Sequence, residues 1–142
     1  MIVVIDASVA IKWFLAGKPD EDHADLALEI LERAARGALT LLQPPHFIAE
    51  VAAVLARLKP AEAQEDLQDL IDIEQRVLDT PEVHITALDL AIRHQHHLFD
   101  TLYHAVALHT PSATLVTADR RYRDKAGVEG RITLLADWKS PR

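Results

Sequence analysis

The chain opens with MIVVIDASVAIKWFL (residues 1–15), in which a short apolar run meets a carboxylate. Residues 2–5 are β-branched, continuous and apolar, the pattern of a strand covered on both faces. A helix of about two turns is expected over 7–15, ended by Gly17, Pro19 and Asp20. Asp6 therefore stands just beyond the carboxyl end of a central strand. It has two readings. It N-caps the 7–15 helix, with Ser8 in the same cap; or it belongs to a site at the strand ends, where open α/β sheets bind their ligands.

Working outward, residues 22–36 carry Ala24, Leu26, Ala27, Ile30, Leu31 and Ala34 at helical spacing, with Gly37 as the stop. LTLLQ (39–43) reads as a second strand, and Pro44 and Pro45 start a helix that runs to residue 58. Pro60 separates this from a helix over 61–78, in which Leu67, Leu70, Ile71, Glu74 and Leu78 suggest one apolar stripe. EVHI (82–85) reads as a brief strand, followed by helices over 86–97 and 100–109. ATLVT (113–117) and RITLL (131–135) are further strands, with a helix over 120–126 between them. Strands alternating with helices imply an α/β fold with a mostly parallel sheet. No repeat, low-complexity segment or linker divides the 142 residues, so one domain over 1–142 is expected.

Composition narrows the chemistry. The sequence is 49% hydrophobic, too apolar for a disordered chain. It has no cysteine, which excludes disulfides, zinc–thiolate sites and thiol nucleophiles and fits a reducing cytosol. With no signal-peptide pattern and no membrane-length apolar run, a soluble cytoplasmic protein without membrane attachment is expected. The net charge of −7 argues against bulk electrostatic binding of nucleic acid. The charge is uneven: residues 1–116 hold 8 Lys/Arg against 18 Asp/Glu, whereas residues 117–142 hold 7 against 4. A basic C-terminal patch beside an acidic body suits a polyanionic substrate, although a solvated surface with chance asymmetry gives the same counts.

Four acids stand out. Asp119 follows ATLVT much as Asp6 follows IVVI, so two strands of one sheet would deliver carboxylates to one rim. Glu50 lies among Phe47, Ile48, Val51, Val54 and Leu55, where a buried, unpaired Glu is costly. Asp100 opens a largely apolar segment, LFDTLYHAVAL, as a cap or as a ligand. Each has a bland reading as a cap or an exposed helix position. Taken together they suggest one constellation. Carboxylate oxygens without cysteine suit Mg²⁺ or Mn²⁺. Crowded like charges need such a cation, or some of them protonate. A metal pair so held activates water and stabilises the leaving oxygen in phosphodiester hydrolysis.

With these segments in view, the chain resembles the PIN-domain family, and within it the VapC-type toxins of toxin–antitoxin pairs. The resemblance rests on VVIDASVAIKWF, PPHFIAEVAAVLARL, LFDTLYHAVAL and ATLVTADRRYRDKA, in that order and over nearly the whole chain. It implies an α/β/α sandwich with a mostly parallel central sheet. Its acidic quartet falls on Asp6, Glu50, Asp100 and Asp119 as catalytic metal ligands, with Ser8 and Thr117 as polar helpers. It further implies an Mg²⁺- or Mn²⁺-dependent endoribonuclease, a homodimer, and a cognate VapB-type antitoxin that covers the active site. Phe99 stands where a Tyr is common, a departure that removes no ligand.

Other residues are weighed beside these. Arg120, Arg121, Arg123 and Lys125 follow Asp119 and are candidates for RNA phosphate contact, as is Lys12; surface ion pairs are the ordinary alternative. Five of the eight histidines lie between 94 and 109. His94 and His97 share a helix face and suggest a transition-metal site, but a solvated helix end explains them better. His104, one turn after Asp100, is a candidate neighbour of the metal site. Trp13, Phe14 and Leu15 read as core, with a share in an antitoxin groove as the alternative. A catalytically silent PIN scaffold and a housekeeping PIN nuclease are the rival functions. A receiver-like phosphoacceptor fails, because LTLLQPP ends in Gln43 and prolines where that class needs an Asp.

Overall fold

A computed structural model describes residues 1–140. Its elements, in order, are β1 (Ile2–Ile5), α1 (Ala7–Ala10), α2 (Lys12–Leu15), α3 (Ala24–Ala35), β2 (Thr40–Gln43), α4 (Phe47–Leu58) and α5 (Ala63–Asp72). They continue with β3 (Arg76–Val77), α6 (Pro81–His94), α7 (Leu98–Leu108), β4 (Ala113–Thr117), α8 (Arg120–Ala126) and β5 (Ile132–Leu134). The five strands form one parallel sheet in the order β3-β2-β1-β4-β5. Val3, Val4 and Ile5 are all buried, although successive strand residues point to opposite faces. Both faces are therefore covered, as an α/β/α sandwich requires. Strand order reverses at β1, which puts the crevice beyond the β1 and β4 ends at the topological switch point.

Four expected elements differ. EVHI is not a strand but part of α6. Thr80 caps that helix by accepting from the Val83 N–H at 3.4 Å, Pro81 occupies the first turn, and Val83, Ala87 and Leu90 form the buried face. A Thr-Pro-Glu start outweighs the β-branched pair within EVHI. The expected 61–78 helix stops at Asp72, because Ile73 turns extended and Arg76–Val77 joins the edge of β2. Its stripe is broken accordingly: Leu70 is buried, Ile71 faces solvent, and Glu74 and Leu78 lie outside the helix. The helix expected from Pro44 begins at Phe47, after a turn in which the Phe47 N–H bonds the Pro44 carbonyl. The 7–15 segment is two short helices meeting at Ile11.

Gly37 does stop α3 as expected. At φ 74° it lets its own N–H reach the Ala34 carbonyl and the Ala38 N–H reach that of Arg33. Trp13 and Leu15 are core residues, and the Trp13 indole N–H donates to the Ala27 carbonyl at 2.8 Å.

The end of β1 is held by a side chain rather than a ladder. Pairing with β2 covers Ile2↔Thr40 and Val3↔Leu41, while pairing with β4 continues to Ile5↔Val116. On the β2 side the buried Gln43 amide takes over. Its Oε1 accepts from the Ile5 N–H at 3.0 Å and its Nε2 donates to the Ile5 carbonyl at 2.7 Å. Gln43→Leu would leave both backbone groups unpaired in the core. It is expected to cost about 2–5 kcal/mol, read as a lower urea midpoint; a change below about 1 kcal/mol would mean that Gln43 does not secure this strand end.

Candidate active site

Asp6 precedes α1, yet its side chain makes no cap hydrogen bond. Its two oxygens instead accept from the Ser8 hydroxyl and the Thr117 hydroxyl. Those hydroxyls are themselves acceptors: Ser8 Oγ from the Ala118 N–H at 3.0 Å, and Thr117 Oγ1 from the Asp119 N–H at 3.0 Å. One hydroxyl pair thus ties the end of β1 to the end of β4. Burial drives the Asp6 carboxyl up to a pKa of about 6, against the opposing effect of the two hydroxyls, and the nearby charge of Asp100 adds to the rise.

Asp119 serves two purposes. Its Oδ1 caps α8 by accepting from the Tyr122 N–H at 3.0 Å, while its Oδ2 lies 3.9 Å from His96 Nε2. Asp100 lies in the first turn of α7, just inside the N-cap position that His97 occupies. A carboxylate is electrostatically favoured there, and Oδ2 of Asp100 is 3.0 Å from His96 Nε2. One ligand atom from each of His96, Asp100 and Asp119 falls within 4.8 Å of the other two. Asp6 and Glu50 are not part of that tight group.

Glu50 reaches the site through a tyrosine. Buried Tyr103 donates its hydroxyl to Glu50 Oε1 at 2.5 Å, and the His46 ring packs against Tyr103 with centroids 4.7 Å apart. Burial and the charges of Glu50, Asp6 and Asp100 push the Tyr103 hydroxyl far above its ordinary pKa, so it stays a donor. Burial likewise raises Tyr122, with added contributions from Asp100, Glu129, Asp6 and Asp119. The two tyrosines between them feel all four acids of the expected quartet. Among the described residues, no Lys or Arg forms an ion pair with any of the four. Oxygen-rich donors, a tight three-ligand group and a carboxyl raised by burial fit a divalent cation.

Several side chains lie elsewhere. Lys12 is buried and paired with Glu21 at 2.7 Å, with a further bond to the Asp22 carbonyl. Arg123 Nε lies 3.4 Å from Asp124, whereas Arg120 and Arg121 are exposed. His104 accepts from the Tyr122 hydroxyl and donates to the Gly130 carbonyl, both at 2.8 Å, and burial lowers its pKa. It supports Tyr122 without touching an acid. His94 pairs with Glu129 at 2.9 Å, so His94 and His97 make no joint site. The histidine that does reach the acids is His96, which the sequence reading passes over. Its signal is the four-residue interval to Asp100. Tyr103 has a clearer one, since it sits one turn after Asp100 on α7 and so on the same helix face.

The chain belongs to the PIN domain family, which matches residues 3–128. No curated protein matches it in sequence. Its fold is similar to that of PAE2754 from Pyrobaculum aerophilum, at 24% identity and TM-score 0.61 over 96% of this chain and 93% of that one. It is also similar to VapC20 of Mycobacterium tuberculosis, a sarcin-ricin loop cleaving toxin, at 15% identity and TM-score 0.66 over 91% and 95%. VapBC2 of Rickettsia felis, solved with a DNA fragment from its promoter, matches at 19% identity and TM-score 0.63 over 94% and 97%. No helix among the described residues is long and apolar enough to cross a membrane.

The raised carboxyl of Asp6 has a consequence for stability. Its folded pKa of about 6 exceeds the ordinary 3.8, so the native state holds the proton more tightly than the unfolded chain. That contribution is full below pH 3.8 and is lost as pH rises through about 6. In chelator, Asp6→Asn should match wild type near pH 4 and exceed it by about 1–3 kcal/mol near pH 7.5. Urea unfolding at the two pH values reads this directly; a gap independent of pH would show that Asp6 is not held in its protonated form by burial.

Proposed function

We propose that this chain is a VapC-type, metal-dependent endoribonuclease, one PIN-like domain over 1–142, and the toxin of a pair completed by a VapB-type antitoxin. The observation that carries the reading is the geometry at the strand ends: Asp100 and Asp119 gathered about His96, Asp6 held by Ser8 and Thr117 beside Asp119, and Glu50 held by Tyr103, with no lysine or arginine ion-paired to any of the four among the described residues. The VapC20 and VapBC2 likenesses support the toxin and antitoxin parts of the reading.

In this reading Asp6, Glu50, Asp100 and Asp119 hold Mg²⁺ or Mn²⁺. When bound, the cation supplies activation of water and neutralisation of charge at the phosphoryl group. The protein's own part is positional. Ser8 and Thr117 orient Asp6 by donating to its two oxygens, and Tyr103 fixes Glu50 by donating to Oε1. Arg120 and Arg121, both exposed, supply positive charge beside Asp119 for the RNA backbone, and Arg123 adds to it while shared with Asp124. No protein nucleophile is required. Self-association is supported by Ile85, Leu88 and Ile92, an apolar stripe on α6 that is 68%, 54% and 69% exposed.

Metal should raise the melting temperature, because the cation binds clustered carboxylates in the native state alone. Asp100→Asn should be more stable than wild type in chelator and lose most of the metal-induced rise. Asp6→Asn should lower RNA cleavage by about 100-fold or more with the fold retained, and Ser8→Ala should be milder, since it removes one hydrogen bond and no charge. A silent scaffold gives no cleavage from wild type. A housekeeping nuclease gives cleavage without growth arrest on expression, whereas the toxin arrests growth and Asp6→Asn does not. Light scattering at micromolar concentration should give a dimer; a monomer there removes the homodimer from the proposal.

A further inference from the structure

Beside the acid cluster lies a cavity of about 410 Å³ lined by Ala91, Gln95, His96, His97, Arg121 and Lys125. It is separated from the carboxylates by one ring. His96 turns Nε2 toward Asp100 and Asp119, at 3.0 and 3.9 Å, while Lys125 Nζ lies 3.3 Å from Nδ1 on the opposite edge. An ammonium can only donate, so Nδ1 is the acceptor in that contact and Nε2 carries the proton offered to Asp100. The His96 ring is held further by Tyr122, with centroids 4.7 Å apart.

The charges in this cavity are uncompensated. Several basic side chains elsewhere are matched: Lys12 with Glu21, Lys59 with Asp66, and Arg93 with Asp89 and Glu129. Arg121 forms no ion pair among the described residues, and Lys125 contacts only neutral acceptors there, the Gln95 carbonyl and His96 Nδ1. Arg121 and Lys125 are four residues apart on α8, so they occupy one helix face. Asp119 is the N-cap of the same helix. Two unmatched cations on one face, leading away from a capping carboxylate of the acid cluster, describe a path for an extended polyanion.

We infer that the cavity between α6 and α8 is a phosphodiester subsite, in which Arg121 and Lys125 bind a backbone phosphate of single-stranded RNA next to the one held at the acid cluster. The subsite rests on the ribonuclease reading and adds to it the place where the flanking strand runs. His96 is then a positioning residue shared by the two sites, with one nitrogen toward each.

The test is the salt dependence of binding of a labelled single-stranded oligoribonucleotide, followed by fluorescence anisotropy in chelator so that cleavage is suppressed. Removing one cation from the phosphate path should lower the slope of log Kobs against log salt by about 0.7. Arg121→Gln and Lys125→Gln should each weaken binding with a reduced slope, and the double substitution should lower the slope by about 1.4. Arg57→Gln, an exposed cation on α4, should leave the slope unchanged. If wild type binds the RNA and the Arg121 and Lys125 variants keep its affinity and slope, the subsite is wrong and the ribonuclease reading stands. If wild type neither binds nor cleaves RNA, both fall. Circular dichroism confirms folding of each variant, and Lys125→Arg, which keeps the charge, should restore most of the slope.

Discussion

A carboxylate kept under cover at the end of the central strand is the constraint on which this molecule is arranged. Asp6 is covered enough that burial outweighs two hydroxyl donors and raises its pKa. The donors that hold it are committed on both sides, since Ser8 and Thr117 also accept from the backbone of Ala118 and Asp119. Moving Asp6 would therefore disturb the β4 rim as well. On its other flank, β1 can no longer pair directly with β2. A glutamine side chain spans the interval, which means the two backbones stand too far apart there for ladder bonds. The crevice at the switch point is in this sense built into the sheet, and α4, which carries Glu50, follows from the strand on its far side.

The groups that surround the acids are neutral donors. Tyr103 donates to Glu50, while Tyr122, raised by burial first and by the nearby carboxylates second, donates to His104 beside them. Neutral donors fix carboxylates without cancelling their charge. A buried ion pair with lysine or arginine would have cancelled it, and would also have filled the crevice. The arrangement leaves like charges facing one another in a partly desolvated place, a cost that the surrounding core must offset. Such a cost fits a place where a cation is to be bound, and the raised Asp6 carboxyl relieves part of it by holding a proton more tightly.

Much of this was legible in the sequence, and the failures have physical causes. Continuous β-branched runs marked β1 and β4, because a strand covered on both faces cannot alternate. Asp6 and Asp119 were legible as a pair for the same reason: position after a parallel strand fixes which rim a residue occupies. EVHI is helical because short apolar runs do not by themselves distinguish strand from helix, and the Thr80-Pro81 start decides for helix here. The helix expected over 61–78 ends at Asp72, and the sequence does not show this because a two-residue edge strand carries almost no periodic signal. Gln43 is not legible in the sequence, and His96 shows only its four-residue interval to Asp100, not its reach to Asp119. Each acts across a tertiary contact, His96 on Asp119 and Gln43 on Ile5, and a polar side chain gives no sign in sequence of which distant group it will meet.

Net charge is the least informative number for this chain's dealings with a polyanion. At physiological salt a charge acts over a Debye length of about 8 Å, so what matters is which cations near the site remain unmatched. Lys12 and Lys59 are spent on Glu21 and Asp66. The excess of basic residues after position 117 survives because α8 carries Arg120, Arg121 and Lys125 with no carboxylate paired to them among the described residues. A helix that is capped by Asp119 and turns basic within its first turn places opposite potentials next to each other. Attraction for phosphate along α8 and affinity for a cation at its start then come from one short segment, and an acidic protein can present a basic face where the chemistry would occur.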